Sequence, residues 1–180
     1  MDMLTFSKER EPDPVAAEMN TVVGDVIELM QTRAQELAVT LEWKPAPKLP
    51  TLVFDPEGLH RAVLNVITNA IDACDGVAGG RVEVCTRLDR ERGLVEVVVE
   101  DNGGGIPAED LENIFSVFVS RKGSRGTGLG LPVSQKIMKE HGGQIQVESE
   151  VGHGSRFILQ LAAVYPDRVK DTGIGTLPPG

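Results

Sequence analysis

The run Glu96-Val97-Val98-Val99-Glu100-Asp101-Asn102-Gly103-Gly104-Gly105-Ile106-Pro107 joins a strand-like alternation to an abrupt glycine break. Val95, Val97 and Val99 put β-branched groups on one side of an extended chain. Upstream, Val82, Val84 and Thr86 alternate in the same way, and residues 88–93 (LDRERG) connect the two as a predicted antiparallel hairpin. Asp101 is left at the end of the second strand, ahead of three glycines. A plain turn satisfies those glycines. They also let a flat ligand approach the backbone, beside a carboxylate able to accept from an exocyclic amine.

The flanking sequence predicts the remaining elements. Asn20 or Thr21 is a candidate helix cap, and Val22, Val23, Val26, Ile27, Met30, Ala34 and Leu37 follow at helical spacing. Val39, Leu41 and Trp43 alternate as a strand that stops at the proline-rich residues 44–50, and Leu52 to Phe54 is a short apolar piece. Asp55 followed by Pro56 opens a helix, cap then first-turn proline, running to about Cys74 and ending near Gly76. A further helix is expected from about Leu129 to Glu140, stopped by Gly142 and Gly143. Ile145 and Val147, then Phe157, Leu159 and Leu161, make a closing hairpin. The fold class is therefore α+β: a two-layer sandwich with a mixed, mostly antiparallel sheet and about three helices on one face. Residues 15–162 form the packed domain. Residues 1–14 read as the end of an upstream element with a linker, and 163–180 as a C-terminal linker or tail.

Composition narrows the function. With 18 Lys and Arg against 27 Asp and Glu, the net charge of −9 is the wrong sign for a duplex nucleic-acid binder or an anionic-membrane protein. No apolar run approaches the roughly 20 residues of a membrane span. Cys74 and Cys85 lie in apolar-periodic segments without secretory context, so both are expected as reduced thiols in a cytoplasmic protein. The chain is expected to be monomeric.

Two further stretches carry chemistry. On the helix from Asp55, Leu59, Val63, Val66, Ile67, Ala70, Ile71 and Cys74 form a broad apolar face. Arg61, Asn65, Thr68, Asn69 and Asp72 gather on the other side. A solvated face explains them; alternatively Asn65 and Asn69, four apart, present amide oxygens that suit a hard ion such as Mg²⁺. The second stretch, Arg121-Lys122-Gly123-Ser124-Arg125-Gly126-Thr127-Gly128-Leu129-Gly130-Leu131, leads into a helix. Residues 121–139 hold Arg121, Lys122, Arg125, Lys136 and Lys139 and no acid. Glycine-rich backbone at a helix N-terminus offers free N–H groups and a favourable dipole to phosphate. The spacing is neither that of a Walker A loop nor that of the dinucleotide fingerprint, and the protein-kinase lysine motif is absent.

Taken together these stretches resemble the Bergerat-fold (GHKL) ATPases, and within them the catalytic ATP-binding domain of sensor histidine kinases. Asn65 to Ala70 resembles the N box, Asp101 to Ile106 the G1 box, Ile114 to Lys122 the F box and Gly126 to Leu131 the G2 box. Val117 and Val119 stand where the family often has Pro and Phe, and Arg121 where it often has Thr. The short interval from Pro107 to Gly126 resembles the short-lid, nitrogen-regulation type. The segment from Leu4 to Pro12 resembles the end of a dimerisation and phosphoacceptor helix.

The resemblance implies a set of roles. Asn69 is expected to coordinate Mg²⁺ and Asn65 to lie beside the phosphates of ATP. Asp101 would accept from the adenine amine, with Gly103, Gly105, Ile106 and Ser155 completing that pocket. Lys122 and Arg125 would reach the terminal phosphates from a lid, while Gly126, Thr127, Gly128, Leu129 and Gly130 cradle them through backbone N–H groups. Relatives that activate water or serine resemble one another in carrying Glu at position 65, where a general base is needed. Asn65 is too weak a base, and an imidazole needs none, so the implied reaction is transfer of the γ-phosphoryl group to histidine. His60, His141 and His153 lie outside any phosphoacceptor-like motif. The implied acceptor is a histidine of an upstream dimerisation domain, with a response regulator as the indirect partner. Two alternatives share the fold: an ATP-regulated binding module without transfer, and a serine kinase of the anti-sigma type.

Overall fold

In the computed structural model of the chain, residues 11–115 and 130–167 are described. The elements are β1 (Val15–Ala17), α1 (Met19–Glu36), β2 (Thr40–Lys44), β3 (Leu52–Phe54), α2 (Pro56–Ala73), β4 (Arg81–Asp89), β5 (Leu94–Asp101), the single turn α3 (Ala108–Leu111), α4 (Gly130–Glu140), β6 (Gln144–Glu150) and β7 (Gly154–Ala162). Five strands form one sheet in the order β2-β4-β5-β7-β6. Only the β2–β4 pair is parallel. The expected two-layer α+β architecture is present, and β5 is its middle strand.

Periodicity explains the layers. Val82 and Val84 of β4, Val95, Val97 and Val99 of β5, and Phe157, Leu159 and Leu161 of β7 are buried on the helix side. Leu59, Ala62, Val63, Val66, Ile67, Ala70 and Ile71 of α2 meet them, flanked by Val23, Val26 and Met30 of α1 and Met138 of α4. Each such Val, Leu or Ile stabilises the fold by roughly 1.5–3 kcal/mol. The other face of the sheet is covered by its own polar ladder. Arg87 Nε and Gln160 Nε2 both donate to the Glu96 carboxylate, at 2.7 and 2.5 Å. Val98 and Ile158 are nonetheless buried on that face.

Several local expectations are corrected. Residues 15–17 and 52–54 pair as a separate two-stranded antiparallel ribbon, β1–β3. Neither Asn20 nor Thr21 caps α1. The helix starts at Met19 after Glu18, and Asn20 Nδ2 donates to the Ala46 carbonyl while Thr86 Oγ1 donates to Asn20 Oδ1. Asp55 occupies the cap position of α2, with Pro56 in the first turn, but its carboxylate makes no capping bond. It folds over Gly58, where a Cβ would sit 2.7 Å from Asp55 Oδ2.

His141 staples two elements together. Its Nε2 accepts the Asp55 backbone N–H at 3.0 Å, which leaves Nδ1 to donate to the Ile137 carbonyl at 2.8 Å. The start of α2 is thereby tied to the end of α4. That end closes as expected, with Gly143 N–H donating to Met138 O and Gly142 N–H to Lys139 O.

Candidate functional site

Asp101 is the last residue of the central strand, 5% exposed, and stands opposite Val82 on one side and Ser155 on the other. Ser155 in turn stands opposite Ser149 of β6. Residues opposite one another in an antiparallel pair project to the same face, so Asp101, Ser155 and Ser149 form a polar row across one end of the sheet, on the helix side. Their hydroxyls are joined: Ser149 Oγ lies 2.8 Å from Ser155 Oγ. Asp101 Oδ1 accepts the Gly103 N–H at 2.8 Å, which starts the turn after β5.

The glycine loop proves to be shaped by protein rather than by open space. A Cβ at Gly103 would run into the Ala73 carbonyl at the end of α2. Gly105, at φ +78°, lies against the Glu150 carbonyl of the β6–β7 turn, so both its conformation and its surroundings exclude a side chain. Only Gly104 of the three faces open space. The β6–β7 turn holds the loop from the far side, because Gly152 N–H donates to Gly104 O and Ile106 N–H donates to Ser149 Oγ, at 2.9 and 2.8 Å. Asn102, between acid and glycines, is an architectural clamp. Its Oδ1 accepts the Arg81 N–H at 2.7 Å and its Nδ2 donates to Gly79 O at 3.0 Å.

The polar side of α2 is not a uniform solvated face. Asp72 accepts Arg33 of α1 at 2.7 Å, and Thr68 Oγ1 lies 3.9 Å from Met30 Sδ, so this half of the arc faces α1. Asn65 turns the other way and donates its Nδ2 to Gly130 O, at the first residue of α4, over 3.0 Å. Asn65 and Asn69 are both half-buried. Among the described residues, the Asn69 amide makes no hydrogen bond. Beneath the site, Cys74 contacts Asn102 Oδ1 at 3.5 Å. Burial, and then the charge of Asp101, push its thiol above the ordinary range, so Cys74 is a packed, unreactive group.

The structure thus brings Asp101, Gly103, Gly105, Ile106 and Ser155 together at the end of the sheet, and Asn65 beside Gly130. Lys122, Arg125, Gly126, Thr127, Gly128 and Leu129 lie outside the described residues, as does most of the F-box stretch. Residues 54–164 match the family model of histidine kinase-, DNA gyrase B- and HSP90-like ATPases. The chain belongs to this ATPase family.

Its relatives within that family are sensor kinases. The chain is 36% identical over 147 residues to the sensor histidine kinase ZraS of Escherichia coli strain K12, covering 81% of this chain and 30% of that protein. It is 33% identical over 158 residues to the aerobic respiration control sensor ArcB of the same organism, covering 84% and 20%. The chain therefore spans about a third or less of the length of these relatives. Among solved structures it resembles the catalytic domain of histidine kinase ThkA, with TM-score 0.73 and 26% identity, over 84% of this chain and 99% of that one. Full-length ShkA in complex with AMPPNP matches with TM-score 0.78 and 27% identity, over 91% of this chain and 35% of that one. The architecture is that of a histidine-kinase catalytic ATP-binding domain. No helix among the described residues is long and apolar enough to cross a membrane.

Sequence reasoning passed over Ser149. The signal was present, because Ile145, Val147 and Ser149 share one strand face and the last is a hydroxyl at an inward position.

Proposed function

We propose that this chain binds ATP with Mg²⁺ and passes the γ-phosphoryl group to a histidine of a separate dimerisation and phosphoacceptor domain, upstream in the same protein, as one step of cytoplasmic two-component signalling. A response regulator then receives the group. The observation that carries the reading is Asp101, a buried carboxylate at the end of the middle strand and next to Ser155 in register, in a chain of this ATPase family. Acceptors placed there suit the amine of adenine.

The donor set fits a hard cation as well. Asn69 has an uncommitted amide oxygen among the described residues, and Asn65, its Nδ2 engaged with Gly130, keeps its oxygen for a ligand. Asn69 would hold Mg²⁺, and Asn65 would lie beside the phosphates. When bound, the ion supplies charge neutralisation between the terminal phosphates. By motif, Gly126 to Gly130 contribute backbone N–H groups, and Lys122 and Arg125 contribute positive charge at the departing γ-phosphoryl. Asn65 offers no general base, so positioning and charge carry the reaction, and the attacking imidazole needs no activation.

Calorimetric titration with ATP, with and without Mg²⁺ and with GTP as comparator, tests the nucleotide assignment. Incubation with γ-labelled ATP then tests the transfer. Label is expected on a separately supplied phosphoacceptor domain and absent from this chain, whose His141 has both ring nitrogens engaged. ATP binding without any transfer to that domain would favour a nucleotide-regulated binding module.

A further inference from the structure

We infer that Ser149 sets the base specificity of the site without touching the base, by fixing the direction in which the Ser155 hydroxyl donates. This rests on the adenine-nucleotide reading above and deepens it.

A serine hydroxyl has one proton and two lone pairs. Ser149 Oγ has three neighbours at hydrogen-bond distance: the Ile106 N–H at 2.8 Å, the Gly154 carbonyl at 3.0 Å and Ser155 Oγ at 2.8 Å. The amide can only donate and the carbonyl can only accept. The proton of Ser149 therefore goes to Gly154, and one lone pair takes the Ile106 proton. The remaining lone pair must take the proton of Ser155. No other arrangement satisfies all three contacts at once. Reversing the serine pair would give up the Ser149 bond to Gly154, leaving that carbonyl with its ladder bond from the Glu150 N–H alone, a net loss of one hydrogen bond.

The consequence falls on the neighbour of Ser155 in the polar row. With its proton drawn toward β6, Ser155 has only lone pairs left for the Asp101 side, and an ionised Asp101 also only accepts. The floor of the site is thus made of acceptors. A ligand edge, or a bridging water, must bring protons to it. A 6-amino purine does so. A 6-carbonyl purine sets a third acceptor against the two already there, which is the kind of mismatch that a buried polar site rejects strongly.

The test is the ratio of dissociation constants for inosine triphosphate and ATP, which differ at that position, measured by calorimetry on the whole chain. The parent chain is expected to favour ATP at least about tenfold. Ser149→Ala frees the Ser155 hydroxyl to rotate and is expected to lower the ratio by about 3- to 10-fold, one hydrogen bond's worth. Ser149→Cys keeps the volume, weakens each bond, and should move the ratio in the same direction; it decides the matter should the alanine variant not fold. Ser149→Thr, which keeps the hydroxyl, should retain the ratio. In a Ser155→Ala background, Ser149→Ala should change the ratio no further.

A merely structural role for Ser149 would weaken both nucleotides alike. A ratio unmoved by Ser149→Ala or Ser149→Cys, in a chain that binds ATP, overturns the role of Ser149 and leaves the nucleotide reading standing. A further drop in the Ser155→Ala background overturns the relay through Ser155. A parent chain that binds no ATP removes the nucleotide reading and this inference with it.

Discussion

Asp101 has two roles at atomic scale: one oxygen starts the turn by accepting the Gly103 N–H, and its charge is the group we propose to meet the nucleotide. Asp101→Asn preserves the first role, since an amide oxygen can take the same proton, and removes the second. We expect ATP affinity to fall by about 10- to 100-fold, the range for a charge-assisted hydrogen bond, with a thermal midpoint close to the parent's. Unchanged affinity by calorimetry would remove Asp101 from the binding site. Asn69 is a different case, because its amide makes no hydrogen bond among the described residues. Asn69→Ala should weaken ATP binding by about tenfold in Mg²⁺ and much less in chelator. Equal losses in both conditions would speak against a metal role. Asp101 was legible because an acid at a strand end stands out against three glycines. Ser149 was legible only as an inward position on its strand, because a hydroxyl there declares its role only through the partners that folding brings to it.

At the scale of elements, side-chain periodicity located every strand of the main sheet and the two longer helices, since alternation and the 3.6 repeat are local properties of one segment, while the glycines at its end bounded α4. What escaped is structure made by pairing. The three residues of β1 have an exposed, exposed, half-buried pattern with no alternation to detect, and they become a strand only by meeting Leu52 to Phe54. One cap was misjudged for the same reason: Asn20 has capping chemistry, but its amide is taken up by Ala46 and Thr86, which only folding brings to it.

The end of α1 gives a further prediction. Ala38 sits at φ +58° and is exposed, while Val39 N–H donates to Ala34 O and Ala38 N–H to Gln35 O. This is the left-handed termination that glycine adopts without strain. Ala38→Gly loses no buried contact and should stabilise the chain by roughly 0.5–1 kcal/mol, the relief of strain being partly offset by a freer unfolded chain. Urea denaturation would register it as a raised midpoint at constant slope. A lowered midpoint would mean that the Ala38 methyl group contributes packing or that the loop tolerates it without strain.

Across the whole molecule, the open face of the sheet carries a pH dependence. Burial pushes the Glu96 carboxyl up, but the Gln160 amide and the Arg87 guanidinium outweigh it and hold the group below the usual glutamate range. The folded state thus binds this proton less tightly than the unfolded chain does. The resulting stabilisation is complete above the unfolded value of about 4.3 and is lost as pH falls through the lower folded value. Glu96→Gln should be less stable than the parent at pH 7, and the gap should close as the pH falls below about 4.3. Parallel stability curves for the two chains from pH 7 to pH 3 would show that Glu96 carries no such linkage.

The loop that bears Asp101 is held by the turn between the last two strands, through bonds such as Ile106 to Ser149, which lie 43 residues apart. A chain growing from its N-terminus completes β4, β5 and the glycines long before that turn exists. The site is therefore among the last features to mature, after the closing hairpin has paired with β5 and paid a long loop closure. Nucleotide has nothing to grip until then. It acts on the finished fold, so its kinetic signature is a slower escape from the native state at an unchanged rate of arrival.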